Sequence, residues 1–265
     1  MILKVYFCRS LLKIRFDYVC ITSKLLRRFI VIYYKSYNIG GVLPYHYHRR
    51  CGMIVQMRLR SVFNKYSNVW ISNGMTGAEI AAKMLRDHNI HNVRITQVDG
   101  ELTDHYNPAT LTVNLSKSVY SSCSIAAAAV ACHECGHAIQ HAEGYAPLQL
   151  RSSLVPIVSF SSRIAQWVIV IGLIMMSSSG SALVCWIGVG MIAMSALFSI
   201  VTLPVEYNAS DRALAWLESS RTLRAEEMDG AKTSLRWAAR TYLVAALSAI
   251  ASLLYYIALI NNRRD

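Results

Sequence analysis

The stretch His133-Glu134-Cys135-Gly136-His137 places two histidines four positions apart. On a helix this spacing brings both imidazoles to one face, about one turn apart, where they can hold one metal ion. Glu134 lies off that face, so it is a poor ligand but can reach a water molecule at the metal. The pattern therefore predicts hydrolysis of a peptide bond with the help of a zinc ion. The alternative is a buried helix whose two histidines have ordinary structural partners.

The surrounding sequence favours a helix that follows a strand. Residues 124–141 have strong helix propensity through an alanine-rich run, with serines before them and Gly144 and Pro147 after them. Residues 110–115 alternate in the manner of a strand. Because a substrate backbone can add to a free strand edge, a strand beside the metal helix suits a protease.

A catalytic zinc site usually has three protein ligands, so a third ligand is needed. The longer motif with a third histidine fails, because Gln140 and Glu143 stand at the positions that it requires. His141 lies one further turn along, but three histidines on successive turns of one helix converge poorly on one ion. We interpret His141 as an outer-sphere or structural residue and Glu143 as a surface acid.

Glu206 is the best candidate for the third ligand. Pro204 can occupy the first turn of a new helix, which predicts that Glu206 lies near its start. Ala209 and Ser210 are small enough to let this helix lie close against the metal helix. Asp211 can hydrogen-bond a zinc-bound imidazole from outside the ligand set. A solvated helix acid is the open alternative for Asp211.

Three polar residues are candidates for stabilising a developing oxyanion. His105 and Tyr106 fall in a predicted loop before the strand, and Tyr207 lies beside Glu206. A plain loop role is the alternative for His105 and Tyr106. The rest of the soluble part predicts a small α+β unit, with a helix over residues 76–89 and a strand over residues 93–98.

These motifs resemble those of the bacterial membrane-bound neutral zinc metallopeptidases, a gluzincin-like family of the HExxH type. The matching segments follow one another in the expected order between about residues 55 and 260: they are residues 63–67, 74–79, 100–106, 131–147 and 202–213. The resemblance implies a membrane-embedded zinc peptidase. It also implies His133, His137 and Glu206 as the zinc ligands and Glu134 as the acid and base.

Two positions depart from the family pattern. Cys135 stands where a small aliphatic residue is usual, and Asn208 stands where an acid is common, so Asn208 receives no ligand role. Cys132 and Cys135 are three positions apart and imitate a zinc-binding pair, but no second pair follows at a suitable spacing. We interpret all seven cysteines as free thiols that pack as small apolar side chains, in keeping with a reducing compartment.

Three apolar stretches are long enough to span a bilayer as helices: residues 154–176, 182–203 and 241–260. A serine- and glycine-rich link at 177–181 joins the first two, which predicts an antiparallel hairpin. The chain then leaves the membrane on the face from which it entered, so Glu206 returns to the side of His137. The alternative, the buried core of a large soluble protein, fits poorly with three such lengths so close together.

The charges around the spans predict their orientation. The hairpin link carries no charge, whereas six basic residues flank the spans on the opposite side: Arg212, Arg221, Arg224, Lys232, Arg236 and Arg240. The positive-inside tendency therefore predicts an integral protein of the bacterial cell membrane with a cytoplasmic catalytic face. Arg263 and Arg264 oppose this orientation, because three spans place them outside.

The net charge of +12 is concentrated near the N-terminus. Residues 1–60 hold 12 Lys and Arg against one acid, Asp17, whereas the other 205 residues hold 15 basic and 14 acidic residues. We therefore expect no nucleic-acid partner. Residues 1–52 are interpreted either as a basic membrane-surface segment or, slightly favoured, as a leader outside the native start. We expect a chain that begins at Met53 to insert, bind zinc and cleave peptides.

Together these features predict an α+β membrane protein, with a small zincin-like catalytic unit and at least three transmembrane helices. The predicted parts are the leader (1–52), the catalytic unit (53–153), the transmembrane hairpin (154–204), the third-ligand helix with an amphipathic segment (205–240), and the C-terminal transmembrane helix and tail (241–265). The predicted activity is that of a zinc-dependent endopeptidase that acts on peptides or proteins at the lipid bilayer. The alternative is a catalytically silent membrane scaffold with a structural metal, but such a site has no use for Glu134. No oligomeric state is predicted.

Overall fold

The chain folds into long helices around a small sheet, as described by a computed structural model for residues 43–262, with side chains for residues 50 and 52–262. The elements are α1 (Leu43–Ser67), α2 (Gly77–Asp87), β1 (Arg94–Val98), β2 (His105–Asn107), β3 (Thr112–Ser116), α3 (Lys117–Tyr120), α4 (Ile125–Ala142), α5 (Ala146–Ser179), α6 (Leu183–Ser219) and α7 (Ala225–Asn262). The predicted α+β class is confirmed.

Helix α4 lies at the centre of the α+β unit, and most of its residues are buried. The Ser124 side chain begins the helix by accepting a hydrogen bond from the backbone N–H of Ala127 at 3.2 Å. Gly144 ends it in the left-handed region, with φ of 65°, and donates its N–H to the His141 carbonyl at 3.1 Å. The helix predicted over residues 124–141 is therefore confirmed to within one residue.

The sheet beside α4 has the strand order β1-β3-β2 in the described part of the chain. β1 pairs with β3 in parallel, and β2 pairs with β3 antiparallel, with His105 opposite Asn114. The expectation that residues 110–115 offer a free strand edge is wrong, because β3 is paired on both sides. The prediction that His105 and Tyr106 lie in a loop is also wrong, since both lie in β2. A three-residue strand is too short to show a recognisable alternation.

Helices α5, α6 and α7 are each long and apolar enough to cross a membrane, with 18-residue stretches whose mean hydropathies are 1.8, 2.2 and 2.3. The three predicted spans are thus confirmed. Gly180 ends α5 with φ of 71°, and α6 begins three residues later, so the two helices form a hairpin. A Cβ at Gly172 would lie 2.6 Å from the backbone nitrogen of Cys185, which shows how closely the two helices approach.

Large apolar side chains cover the outside of the hairpin. The exposed ones include Ile157, Phe160, Trp167, Ile174, Leu183, Trp186 and Ile187. A water-soluble domain rarely exposes a continuous apolar surface of this kind, whereas lipid solvates it well. The exposed surface therefore agrees with insertion of α5 and α6 in a bilayer.

Helix α6 continues through Pro204, so the prediction that a new helix begins there is wrong. Proline removes one backbone hydrogen bond, but α6 packs along its length against α4, α5 and α7, and this packing maintains the helix. Its 37 residues extend for about 55 Å, whereas the apolar layer of a bilayer is only about 30 Å thick. One continuous helix therefore crosses the membrane and also carries Glu206 into the α+β unit.

The predicted division of the chain into parts stays a prediction. Most of the predicted leader at 1–52 lies outside the described residues. Only its residues 43–52 are described, and they form the first turns of α1. A chain that begins at Met53 would therefore start inside α1. The boundaries predicted after residues 153, 204 and 240 fall within α5, α6 and α7, which run through them without a break.

Helices α4 and α6 approach each other closely at Gly136. A Cβ at this position would lie 2.6 Å from the carbonyl oxygen of Ala209, a backbone atom that cannot move without displacing α6. Ala209 itself is fully buried. The expectation that small residues let the two helices lie close together is confirmed, and Gly136 supplies the small residue on the α4 side.

We expect Gly136→Ala to destabilise the protein by about 1–3 kcal/mol, because the added methyl group overpacks this contact. The matched control is Gly190→Ala in α6, where an added Cβ would meet nothing within 4 Å. Thermal unfolding of both variants in detergent measures the difference. Equal unfolding midpoints for Gly136→Ala and the unsubstituted protein would show that α4 and α6 tolerate separation.

Candidate metal centre

His133 and His137 project from one face of α4 toward Glu206 on α6. The Nε2 atoms of His133 and His137 lie 3.3 Å and 3.6 Å from Oε2 of Glu206. Glu206 is only 2% exposed, and the two histidines are nearly as well buried. Each residue directs one donor atom to the same point, and these atoms all lie within 4.8 Å of one another. The structure thus brings together the three residues that the sequence singled out as metal ligands.

The other nitrogen of each imidazole has its own partner. Nδ1 of His137 lies 3.0 Å from Oε1 of Gln140, and Nδ1 of His133 lies 3.1 Å from the hydroxyl of Ser210. Because Oε1 of Gln140 can only accept, Nδ1 of His137 donates its proton to Gln140. In the neutral imidazole, Nε2 then carries the lone pair that can bind a metal ion. Partners of this kind fix the tautomer and the ring orientation of metal-binding histidines.

Gln140 is itself held in place by α6. Its Nε2 donates to the Val205 carbonyl at 2.8 Å and to Oδ1 of Asn208 at 2.9 Å. Oδ1 of Asn208 also accepts from Nε of Arg212 at 2.8 Å, and Arg212 forms an ion pair with Glu143 at 2.7 Å. A chain of hydrogen bonds therefore leads from His137 to the protein surface.

The electrostatic environment of His137 favours the protonated imidazole in the absence of a metal. Burial opposes the charge, but the hydrogen bond to Glu206 and the negative charges of Glu206 and Glu134 outweigh it and raise the pKa of His137. A metal ion that binds Nε2 must displace this proton. The negative charge that attracts the proton attracts a cation equally well.

Glu134 stands outside the cluster and faces the sheet. Its Oε2 accepts a hydrogen bond from the backbone N–H of Tyr106 in β2 at 3.0 Å. The side chain is buried, although it lies next to His133 in the chain. Glu134 is therefore oriented by an edge strand rather than by the metal ligands.

Two further residues contact Glu206 from the membrane-spanning helices. NH1 of Arg151, in α5, donates to Oε1 of Glu206 at 3.1 Å. The phenol of Tyr242, in α7, interacts with the same carboxylate and lies close enough to Glu134 and Arg151 to be affected by their charges. All three long helices thus contribute to the surroundings of this one carboxylate.

The remaining residues selected from the sequence lie around the cluster. The Tyr106 hydroxyl lies 2.8 Å from Nδ1 of His141, and His105 lies 2.8 Å from the Thr103 carbonyl through Nδ1. Asp211 is exposed, and its neighbour Ser210 makes the contact to His133 that was expected of Asp211. Tyr207 is half-buried beside Glu206. The roles of His105, His141, Tyr207 and Asp211 stay predictions.

Glu143 and the cysteine pair of α4 take no part in the cluster. The Glu143 carboxylate forms the ion pair with Arg212, whose hydrogen bond lowers the pKa of Glu143. Cys132 and Cys135 are free thiols, fully buried in the core, and burial raises the pKa of both thiols. A thiol with a raised pKa resists forming the thiolate that binds zinc. The interpretation of these two cysteines as apolar packing residues agrees with this environment.

Sequence reasoning missed the partners that hold the ligands: Gln140, Ser210, Arg151 and Tyr242. Gln140 follows His137 by three positions and could have been found from helical spacing alone. The others come from different helices, so their contacts depend on how α4, α5, α6 and α7 pack together.

The donor set fits zinc. Two neutral imidazole nitrogens and one carboxylate oxygen, with a fourth position left open, are the usual ligands of a catalytic zinc ion. The burial of the three side chains and the fixed tautomer of His137 also agree with a prepared site. Among the described residues the group offers three ligands, which is the usual number of protein ligands in a catalytic zinc site.

Comparison with known proteins points in the same direction. A family described as "Putative neutral zinc metallopeptidase" matches residues 48–261. The chain is also 40% identical over 210 residues to "Putative membrane protease YugP" of Bacillus subtilis (strain 168). The aligned region covers 79% of this chain and 92% of that protein. No solved structure matches the chain. The resemblance seen in the sequence motifs is therefore confirmed, and the chain belongs to this family of neutral zinc metallopeptidases.

Proposed function

We propose that the protein is a zinc-dependent endopeptidase of the membrane, with its active site where the spans meet the α+β unit. The observation that carries the proposal is the buried cluster of His133, His137 and Glu206, with Glu134 just outside it. His133, His137 and Glu206 are the proposed zinc ligands. Glu134 is the proposed acid and base.

Bound zinc would supply a Lewis acid that activates water and polarises the carbonyl of the substrate. Glu134 accepts the proton of the attacking water and passes it to the leaving amine nitrogen. The N–H of Tyr106 holds Oε2 of Glu134 while the proton moves. Gln140 and Ser210 keep both imidazoles in the orientation that directs Nε2 to the metal.

Strand β2 is the proposed binding edge for the substrate backbone. Within the described part of the chain it pairs with β3 along one side only, and Tyr106 in its middle contacts Glu134. Because the Tyr106 N–H already donates to Glu134, an extended peptide that adds to this edge would bond to the other backbone groups along it, and such bonds depend little on the side chains of the substrate. The scissile carbonyl would then lie between β2 and α4, within reach of the cluster. Peptides or proteins are therefore the proposed substrates.

The alternative, a silent scaffold with a structural metal, is weaker. A structural zinc site is closed by four protein ligands, whereas this group contains three. A scaffold also has no use for a buried glutamate held beside the metal cluster by an edge strand.

Glu134→Gln should retain zinc and lose peptidase activity by several orders of magnitude, because the amide keeps the shape of the side chain but cannot accept the proton. Zinc content of the purified variant and the rate of casein degradation measure the two effects. Loss of zinc and activity in step would show that Glu134 is a ligand and not the base.

Two further acids serve as matched variants in the same experiment. Glu206→Ala should lower zinc affinity sharply, because two histidines alone hold zinc weakly. Glu143→Ala should keep both zinc and activity, since Glu143 is paired with Arg212 at the surface. Zinc retained by Glu206→Ala and lost by Glu143→Ala would contradict the proposed ligand set.

We also propose that the active site faces the cytoplasm. Basic residues follow Glu206 along α6 and precede the apolar part of α7, whereas the link between α5 and α6 is uncharged. Cysteine introduced at Ser179, which is exposed at the end of α5, should therefore react with a membrane-impermeant maleimide added to intact cells. The unsubstituted chain gives the background from the native cysteines. Labelling of this cysteine only after lysis would reverse the orientation.

A further inference from the structure

Arg151 is a charged residue that touches the proposed ligand Glu206 from outside the metal cluster. It lies in the second turn of α5, where the chain leaves the α+β unit and enters the first apolar helix. Its NH1 lies 3.1 Å from Oε1 of Glu206, and the Arg151 side chain is 28% exposed against 2% for Glu206. The Glu206 carboxylate therefore lies between the Arg151 guanidinium on one side and the candidate metal position on the other.

The two oxygens of Glu206 have different partners. Oε2 is the atom near Nε2 of His133 and His137, and Oε1 is the atom bound to Arg151. A carboxylate whose second oxygen is engaged by a guanidinium cannot turn that oxygen toward the metal without breaking a charge-assisted hydrogen bond. The contact thus determines which oxygen of Glu206 is available as a ligand, and it limits the number of such oxygens to one.

We propose that Arg151 is a positioning residue that restricts Glu206 to one metal-binding oxygen, Oε2. The inference rests on the ligand set of the proposed function and deepens it. With Glu206 bound through one oxygen, the three protein ligands leave the fourth position of a tetrahedral site open for water or the substrate carbonyl. If Oε1 were released, the carboxylate could bind through both oxygens and occupy that position itself.

The choice of arginine agrees with this role. Guanidinium is always charged and planar, and its direction is set by the fork of its N–H groups, so it can hold one carboxylate oxygen in a fixed direction. Lysine offers a point charge on a flexible stem and would fix the oxygen less well. Tyr242 also interacts with the Glu206 carboxylate but is neutral, so it cannot replace the charge of Arg151.

An ordinary structural ion pair is the competing explanation. In that case Arg151 would stabilise the contact between α5 and α6 without affecting the metal. The two explanations differ in a property of the metal centre rather than in activity, because only a positioning role changes the number of oxygens that Glu206 presents.

The test uses the full chain in detergent with Arg151→Gln and Arg151→Lys. The matched control is Arg94→Gln, an exposed arginine at the start of β1, remote in sequence and fold from α5 and α6. Three quantities are measured for each: the thermal unfolding midpoint without metal, the zinc dissociation constant by chelator competition, and the visible absorption of the cobalt-substituted protein. Four-coordinate cobalt absorbs more strongly than five-coordinate cobalt, so the spectrum reports a second oxygen ligand.

We expect Arg151→Gln to lower the zinc dissociation constant, on the order of tenfold, because Glu206 gains a second ligand oxygen and a positive charge beside the metal position is removed. Its cobalt absorption should weaken as Glu206 gains the freedom to bind through two oxygens. Arg151→Lys should fall between Arg151→Gln and the unsubstituted protein, and Arg94→Gln should match the unsubstituted protein.

Unchanged zinc affinity and an unchanged cobalt spectrum in Arg151→Gln would overturn the inference, even if its unfolding midpoint fell. If Arg151→Gln does not fold, Arg151→Lys decides in the same way: an unchanged spectrum and affinity overturn the inference, and intermediate values support it. These readouts need no peptidase activity, so a metal-binding chain that cleaves nothing refutes the proposed activity alone. An unsubstituted chain that binds neither zinc nor cobalt refutes both.

Discussion

The close packing of α4 against α6 is the constraint on which the site depends. The two helices approach so closely that no side chain fits between Gly136 of α4 and the backbone of Ala209 in α6. This distance lets Glu206 reach the face that carries His133 and His137, which lie 69 or more positions earlier in the chain. A wider separation would leave each imidazole with a buried, unsatisfied nitrogen, which costs free energy. The same contact therefore stabilises the fold and assembles the metal centre.

The membrane-spanning helices serve the site as well as the bilayer. α6 crosses the apolar layer and continues into the α+β unit, so Glu206 is rigidly connected to the span. α5 contributes Arg151 and α7 contributes Tyr242, both near the ends of apolar stretches. Buried polar groups are satisfied through this arrangement: Gln140, which is fully buried, makes hydrogen bonds to His137, Val205 and Asn208. A change in how the spans pack would therefore move the ligand side chains directly.

Much of this architecture could be predicted from the sequence, because it depends on local spacing and on apolar length. The two histidines and Glu134 follow from a five-residue pattern, and the three spans follow from hydropathy. The hairpin then brings Glu206 back to the correct side. The break expected at Pro204 failed because tertiary packing outweighs the loss of one hydrogen bond. Strand β2 was missed because it exists only through pairing with β3. The partners Ser210 and Arg151 depend on the rotation of one helix against another, which no local pattern encodes.

Metal analysis coupled to proteolysis shows whether this buried cluster is the catalytic zinc centre that we propose. The detergent-purified protein should contain about one zinc ion per chain, as expected for three protein ligands with an open position. It should degrade casein, lose that activity when a chelator removes the zinc, and recover it when zinc is returned. Casein degradation that persists in fully zinc-free protein, or a purified chain that takes up no zinc, would show that the cluster is not a catalytic zinc centre.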